Sequence, residues 1–153
     1  MARQRRPMGV IGWREWAQLP ALCTDAIKAK VDTGARTSAL HAFRLETSVR
    51  DGEPWVSFEI HPHQRSTEGA VRVETAVAGW RSVKSSNGEI QRRPVVRTPL
   101  SLGGRTWSID ITLTNRDDMG FRMLVGRAAI RRKFVVDVGR SYIGAQPQPT
   151  QDG

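Results

Sequence analysis

The chain predicts an all-β fold, a small closed barrel or sandwich, and three observations carry that prediction. Val71–Val77 and Trp107–Leu113 alternate apolar and polar residues, the period-two pattern of strands with one buried face. Asn87-Gly88 and Gly103-Gly104 interrupt such segments, and these dipeptides favour tight hairpins. Only one stretch, Ala128 to Lys133 after Gly126, reads as a helix, and it is short. Strands and helices therefore alternate too little for a parallel α/β architecture, and no repeat with a period of tens of residues appears.

The elements follow in order. A β-leaning approach, Ile27 to Asp32, ends in the turn Asp32-Thr33-Gly34-Ala35. Trp55–Ile60 and Val71–Val77 are strands, and Arg81 to Arg92 forms a polar hairpin tipped by Asn87-Gly88. Leu100–Leu102 joins Trp107–Leu113 through Gly103-Gly104. Met123-Leu124-Val125-Gly126 is an apolar run ending in glycine, suited to packing closely beside another backbone. The closing strand is Phe134 to Asp137, followed by a turn at Gly139 and by Ser141 to Ile143. Residues 1–8 form a basic tail and 145–153 a tail rich in Gln and Pro, which leaves 9–144 as one domain.

Composition narrows the function classes. At 153 residues the chain can bury a core without disulfides or metals, and the lone Cys23 excludes an intramolecular disulfide framework. No apolar run reaches the length of a signal-peptide core or a membrane span, so a soluble cytoplasmic protein with no membrane partner is expected. The net charge of +9, mostly from arginine, draws polyanions. Arginine binds carboxylate and phosphate alike in bidentate fashion, so acidic peptide and nucleic acid both remain open, as does an inert basic surface.

The turn Asp32-Thr33-Gly34-Ala35 is how a fold mounts one carboxylate rigidly in the open. Gly34 permits close approaches that a Cβ would block, and the Thr33 hydroxyl can hydrogen-bond across to a neighbouring strand. Together with Leu124-Val125-Gly126-Arg127 downstream, it resembles the retropepsin-like aspartic proteases over roughly residues 27 to 143. The order matches: apolar-Asp-Thr-Gly-Ala, the apolar pair Ala39-Leu40, a hairpin, then apolar-apolar-Gly-Arg opening a short helix. The longer wording Ala29 to His41 looks like a bacterial and archaeal branch that carries the label "ATP-dependent zinc protease". Some of its members are encoded beside RimK-type glutamate ligases. Gly12-Trp13-Arg14-Glu15-Trp16, Leu19-Pro20, Thr114-Asn115-Arg116 and Asp137 to Tyr142 also fit that branch.

The resemblance implies a closed barrel of the acid-protease type with one short helix after Gly126. It also implies catalysis by Asp32, Thr33 and Gly34. Ala35, Arg36, Thr37, Ser85, Ser86, Asn87, Gly88 and Val125 would contact substrate, with Gly126 and Arg127 as structural neighbours. Aspartic proteolysis needs two carboxylates so close that only one ionises. Val136-Asp137-Val138-Gly139 echoes the first motif, but it follows the Gly-Arg element, and too little chain remains to build a second lobe. A homodimer with Asp32 from each copy at the two-fold axis is the simpler solution. The hairpin around Asn87-Gly88 falls where the flap belongs, although an ordinary surface hairpin is the commoner meaning of Asn-Gly.

Viral members follow the Asp loop with acidic residues that pair with the Gly-Arg arginine, whereas this chain has Arg36-Thr37. Arg127 therefore needs another partner, such as Asp137 or Asp110. Arg36 either accepts an acidic substrate group or forms a salt bridge within the protomer. The branch implies acidic, glutamate-rich or polyglutamylated substrates, including a ribosomal protein tail, and a RimK-type ligase as partner. A catalytically silent module binding acidic peptide or RNA is the alternative.

No cofactor or metal is expected despite the branch's label. His61-Pro-His63 could clasp an ion, but the chain has no His-Glu-x-x-His, no cysteine cluster and no phosphate-binding Gly-x-x-x-x-Gly-Lys-Ser/Thr loop. Cys23 has no evident base beside it and reads as structural. Trp55 and Trp107 lie in strand patterns and are expected in the core; Trp13 and Trp16 are expected to cover the barrel or the dimer seam. Tryptophans interleaved with arginines also suit base stacking.

Overall fold

A computed structural model describes residues 7–64, 66–84, 87–115 and 120–145. The strands are β1 (Gly9–Ala17), β2 (Ile27–Asp32), β3 (Ser38–His41), β4 (Phe43–Arg50), β5 (Glu53–Ile60) and β6 (Val71–Ala76). They continue as β7 (Gly79–Lys84), β8 (Ile90–Leu102), β9 (Arg105–Thr114) and β10 (Met123–Gly126). The one-turn helix α1 (Arg127–Ile130) then leads into β11 (Phe134–Ser141). The all-β expectation holds. The predicted tails fall largely on residues 1–6 and 146–153, which lie outside the described residues, as do Ser85, Ser86 and Arg116.

An eight-stranded mixed sheet runs β11-β1-β2-β10-β3-β9-β8-β7, and β4-β5-β6 form a separate three-stranded sheet. The predicted closed barrel does not form as a continuous ladder. The large sheet keeps free edges at β11 and β7, and among the described residues the backbone pairing between this end of β1 and β8 is the isolated bridge of Gln18, just past β1, with Ser101. Closure needs sustained strand-to-strand pairing. Here one reciprocal pair of backbone hydrogen bonds, at 3.0 and 2.8 Å, ties Gln18 to Ser101 of β8.

Period-two burial builds the core. Ile27, Ala29 and Val31 of β2, Val56, Phe58 and Ile60 of β5, and Met123 and Val125 of β10 are buried, with Leu40, Leu100, Ile111 and Leu113 filling the space between. Trp107 packs against this cluster. Trp55 does not, because alternation places it on the opposite face from Val56, Phe58 and Ile60, where the Arg50 guanidinium lies 4.4 Å from its ring centroid. Trp13 meets Phe121 edge-on, and Trp16 lies against Tyr142.

The hairpin at Gly103-Gly104 is present, with both glycines at positive φ (59° and 82°) as a two-residue turn demands. Two predicted boundaries move. The helix stops at Ile130 rather than Lys133, because Arg131 turns extended (φ −51°, ψ 130°) and Arg132 is left-handed (φ 66°). Gly139 does not end a strand. β11 runs through it as an irregularity, with Gly12 facing Asp137 and Arg14 facing Ser141, so extra residues bulge out of β11.

Strand order matters most at the centre. β2 and β3 are neighbours in sequence, yet β10 lies between them, parallel to β2 and antiparallel to β3. That insertion sets Gly126 opposite Asp32.

Candidate functional site

The site is built where three backbone segments converge. Asp32 closes β2, half-buried, and its Oδ1 accepts the Gly34 N–H at 3.0 Å while its carbonyl accepts the Ala35 N–H at 3.2 Å. The carboxylate is thus oriented by its own turn. Gly34 is not left-handed, but a Cβ there would stand 3.3 Å from Asp32 Oδ1, so glycine keeps room for the carboxylate.

Gly126 is the tighter constraint. A Cβ on it would lie 2.5 Å from both the carbonyl carbon and the oxygen of Thr37, closer than real Cβ atoms approach. Its N–H donates to Ser38 Oγ at 3.0 Å, a buried bond. The next two N–H groups, Arg127 and Ala128, donate to the carbonyls of Ala35 (2.8 Å) and Arg36 (3.0 Å). These bonds tie the start of α1 to the loop after Asp32, and the Ala35 and Arg36 carbonyls are already engaged.

Arg127 finds neither Asp137 nor Asp110. Its guanidinium donates to the backbone carbonyls of Gly34 (3.2 Å) and Thr33 (3.5 Å), so it clamps the Asp loop from outside. Asp110 pairs with Arg97 at 3.1 Å, and Asp137 Oδ1 accepts the Gly139 N–H at 3.0 Å. With no acidic residue following the Asp loop, backbone oxygens take the place of a carboxylate partner.

Other predicted site residues fall in distinct places. Thr33 and Arg36 are exposed and line a cleft of about 910 Å³ together with Arg127, Ile130, Val136 and Val138. Arg36 and Thr37 also open onto a second pocket. Among the described residues Arg36 has no carboxylate partner. Val125 was expected to contact substrate, but its side chain is fully buried in the core, since it faces inward from β10. Asn87 and Gly88 lie in the β7–β8 turn, where Asn87 Oδ1 accepts the Glu89 N–H and Gly88 has φ 86°. Ser85 and Ser86 lie outside the described residues.

The histidines diverge. His61 pairs with Glu59 at 3.2 Å and stacks on Phe43, while His63 pairs with Asp25 at 3.2 Å. No group of three His, Cys, Asp or Glu side chains placed to hold an ion occurs among the described residues. Burial pushes the Cys23 thiol pKa up, which keeps it protonated and a poor nucleophile. No helix among the described residues is long and apolar enough to cross a membrane.

The sequence did not single out Ser38, and it offered Asp110 to Arg127 rather than to Arg97, its cross-strand partner. The facing of β8 and β9 across Gly103-Gly104 implied that pair, because counting outward from a two-residue turn sets 97 opposite 110.

An Asp-Thr-Gly turn braced by a Gly-Arg element on an inserted strand is the core of the retropepsin-like class. The profile described as "Retropepsin-like aspartic endopeptidase RimB" matches residues 10–147, and the chain belongs to this RimB-like family. Curated relatives named "Probable alpha-L-glutamate ligase" are also similar. The protein from Shewanella halifaxensis is 51% identical over 133 residues, covering 87% of this chain and 29% of that protein. The one from Desulfotalea psychrophila is 48% identical over 128 residues, covering 84% of this chain and 28% of that protein. The chain thus spans under a third of the length of these relatives. A crystal structure of a Legionella pneumophila protein of unknown function superposes with a TM-score of 0.72 at 29% identity, covering 88% of this chain and 97% of that one.

Proposed function

We propose that the chain is an aspartic-type endopeptidase that cleaves acidic, glutamate-rich or polyglutamylated peptides with Asp32 from each of two copies. The single observation that carries this is the pairing of Asp32 with Gly126 across β2 and β10, which holds one carboxylate in an open turn. One Asp32 carboxylate takes a proton from a water while its oxygen attacks the peptide carbonyl. The other, protonated, donates a hydrogen bond to that carbonyl oxygen. Collapse of the tetrahedral intermediate breaks the C–N bond, and a dyad proton passes to the leaving nitrogen. No acyl-enzyme forms.

Two features support the homodimer. The cleft beside Thr33 is open, and β11, the sheet's free edge, leaves Val135 and Val138 53% and 77% exposed. The β7–β8 hairpin supports the role of a flap. The net charge of +9 and Arg36, which has no carboxylate partner among the described residues, favour an acidic substrate, such as a ribosomal protein tail extended by a RimK-type glutamate ligase.

A second reading has support from one observation: the relatives carry the matching segment as a minor part of proteins named as ligases. On that reading the domain only binds acidic peptide or RNA. Asp32→Asn decides between them. The variant should lose at least about a thousandfold in the rate of glutamate-rich peptide hydrolysis, scored by mass spectrometry, while still binding the peptide. A wild-type protein that binds without turnover would refute the peptidase.

A further inference from the structure

Beyond the Asp32 loop, on the side of the β7–β8 hairpin, lies a pocket of about 420 Å³ lined by α1 and by residues from five other segments. Arg36 and Thr37 come from the Asp loop, Arg81 from β7, Arg97 from β8, Ser108 and Asp110 from β9, and Lys133 from the turn before β11. Four cations thus surround one carboxylate. Arg81 and Arg97 reach the same face by strand geometry. Arg81 faces Arg93 across the β7–β8 ladder, Arg97 lies four residues further along β8, and Arg97 faces Asp110 across the β8–β9 ladder.

The charge here is unbalanced. Asp110 engages Arg97 at 3.1 Å, but Arg36 and Arg81, both exposed, have no carboxylate partner among the described residues. Like charges gathered around a concave surface repel one another and focus a positive potential into it. Such a cluster is relieved by an anion. The anion's chemistry is marked by the one already present, since the Asp110 carboxylate shows that this guanidinium is oriented to take a carboxylate in the pocket.

We propose that this pocket is a specificity subsite for a substrate glutamate side chain. Arg81, Arg97 and Arg36 bind its carboxylate, and Asp110 tempers the affinity by competing for Arg97. The placement follows from Arg36 and Thr37, which belong both to this pocket and to the loop that carries Asp32. A peptide stretched past Asp32 beneath the hairpin would set a side chain there, some residues away from the bond being cut. The position relative to a scissile bond rests on the peptidase reading; the carboxylate contact does not.

Two measurements separate the claims. The first is binding of a fluorescein-labelled oligoglutamate peptide to the Asp32→Asn protein by anisotropy at fixed ionic strength, against oligoglutamine and a single-stranded RNA of equal charge. Arg81→Gln and Arg97→Gln should each weaken oligoglutamate binding about tenfold. Asp110→Asn should tighten it about two- to fivefold, a gain that misfolding cannot produce. Arg50→Gln, which removes an equal charge from a distant pair with Glu74, should change it less than about twofold. If Arg81→Gln and Arg97→Gln do no more than Arg50→Gln, net charge alone attracts the peptide and the subsite is refuted. If RNA binds as tightly as oligoglutamate and loses as much, the groove is a nucleic-acid surface and the proposal falls.

The second is kcat/KM of the wild-type chain on peptides in which each glutamate in turn becomes glutamine. One position should cost about tenfold in the wild type and nothing in the Arg81→Gln, Arg97→Gln double variant. Turnover that depends on Asp32 but ignores both arginines would overturn the subsite and keep the peptidase. Binding as expected without turnover would do the reverse.

Discussion

Glu15 is a buried carboxylate, 2% exposed, and no cation is set against it among the described residues. Its partners are backbone donors. Oε2 accepts the N–H groups of Gly12 at 2.6 Å and Ile143 at 3.0 Å, and Gly144 N–H lies 3.1 Å from both oxygens. One side chain therefore fastens the end of the chain that follows β11 onto β1, and it satisfies donors with no ladder partner. Glu15→Ala leaves the buried Gly12 N–H and the part-buried Ile143 and Gly144 N–H groups without this partner, so the folded state should lose about 2–4 kcal/mol in denaturant unfolding. A loss under about 0.5 kcal/mol would show that water replaces the carboxylate. Asp32 and Asp137 teach a related lesson, because each accepts the N–H two residues on at 3.0 Å. The side-chain bond is alike although Asp137 lies inside β11 and Asp32 opens a turn; what sets Asp32 apart further is the neighbour that tertiary structure brings to it.

That neighbour is an element, β10, and its fit depends on glycine. Gly126 lies in extended backbone (φ −84°, ψ 166°), so any residue could adopt its conformation. Space is the constraint. Gly126→Ala would press a methyl into the Thr37 backbone, which no rotamer change relieves. The variant should lose at least about 2 kcal/mol of stability and most peptide hydrolysis, read by thermal denaturation and by turnover of the surviving folded protein. Gly79→Ala is the control: nothing lies within 4 Å of a Cβ there, and stability should move by less than about 0.5 kcal/mol. Equal behaviour of the two would remove the close approach as an explanation. Arg127 belongs to the same device. It was expected beside the site with a side-chain carboxylate such as Asp137 or Asp110 as its partner, but its partners are carbonyls of the Asp loop instead. Main-chain partners leave no mark in residue types.

At the scale of the molecule, each chain offers one Asp loop of this kind, so the proposed chemistry requires a second copy. The free edge at β11, with its exposed valines, and the open cleft beside Thr33 leave room for one. Mixing tests this directly. If wild-type and Asp32→Asn chains exchange freely in equal amounts, only about one quarter of the pairs carry two intact carboxylates, and activity per total protein should fall to that fraction. A fall to one half would mean that each chain acts alone.

The sequence by itself determined the β character, the hairpin at Gly103-Gly104, the Asp32 turn and its kinship with Gly126-Arg127. Those depend on side-chain alternation and on turn residues, and both are written in consecutive positions. Only the tertiary structure decided that β10 enters between β2 and β3, that the large sheet stays open, that Val125 faces inward, and that Arg36, Arg81, Arg97 and Asp110 share one pocket. Each of these turns on which distant backbones become neighbours, and that choice belongs to the packing of the whole core rather than to any local stretch of chain.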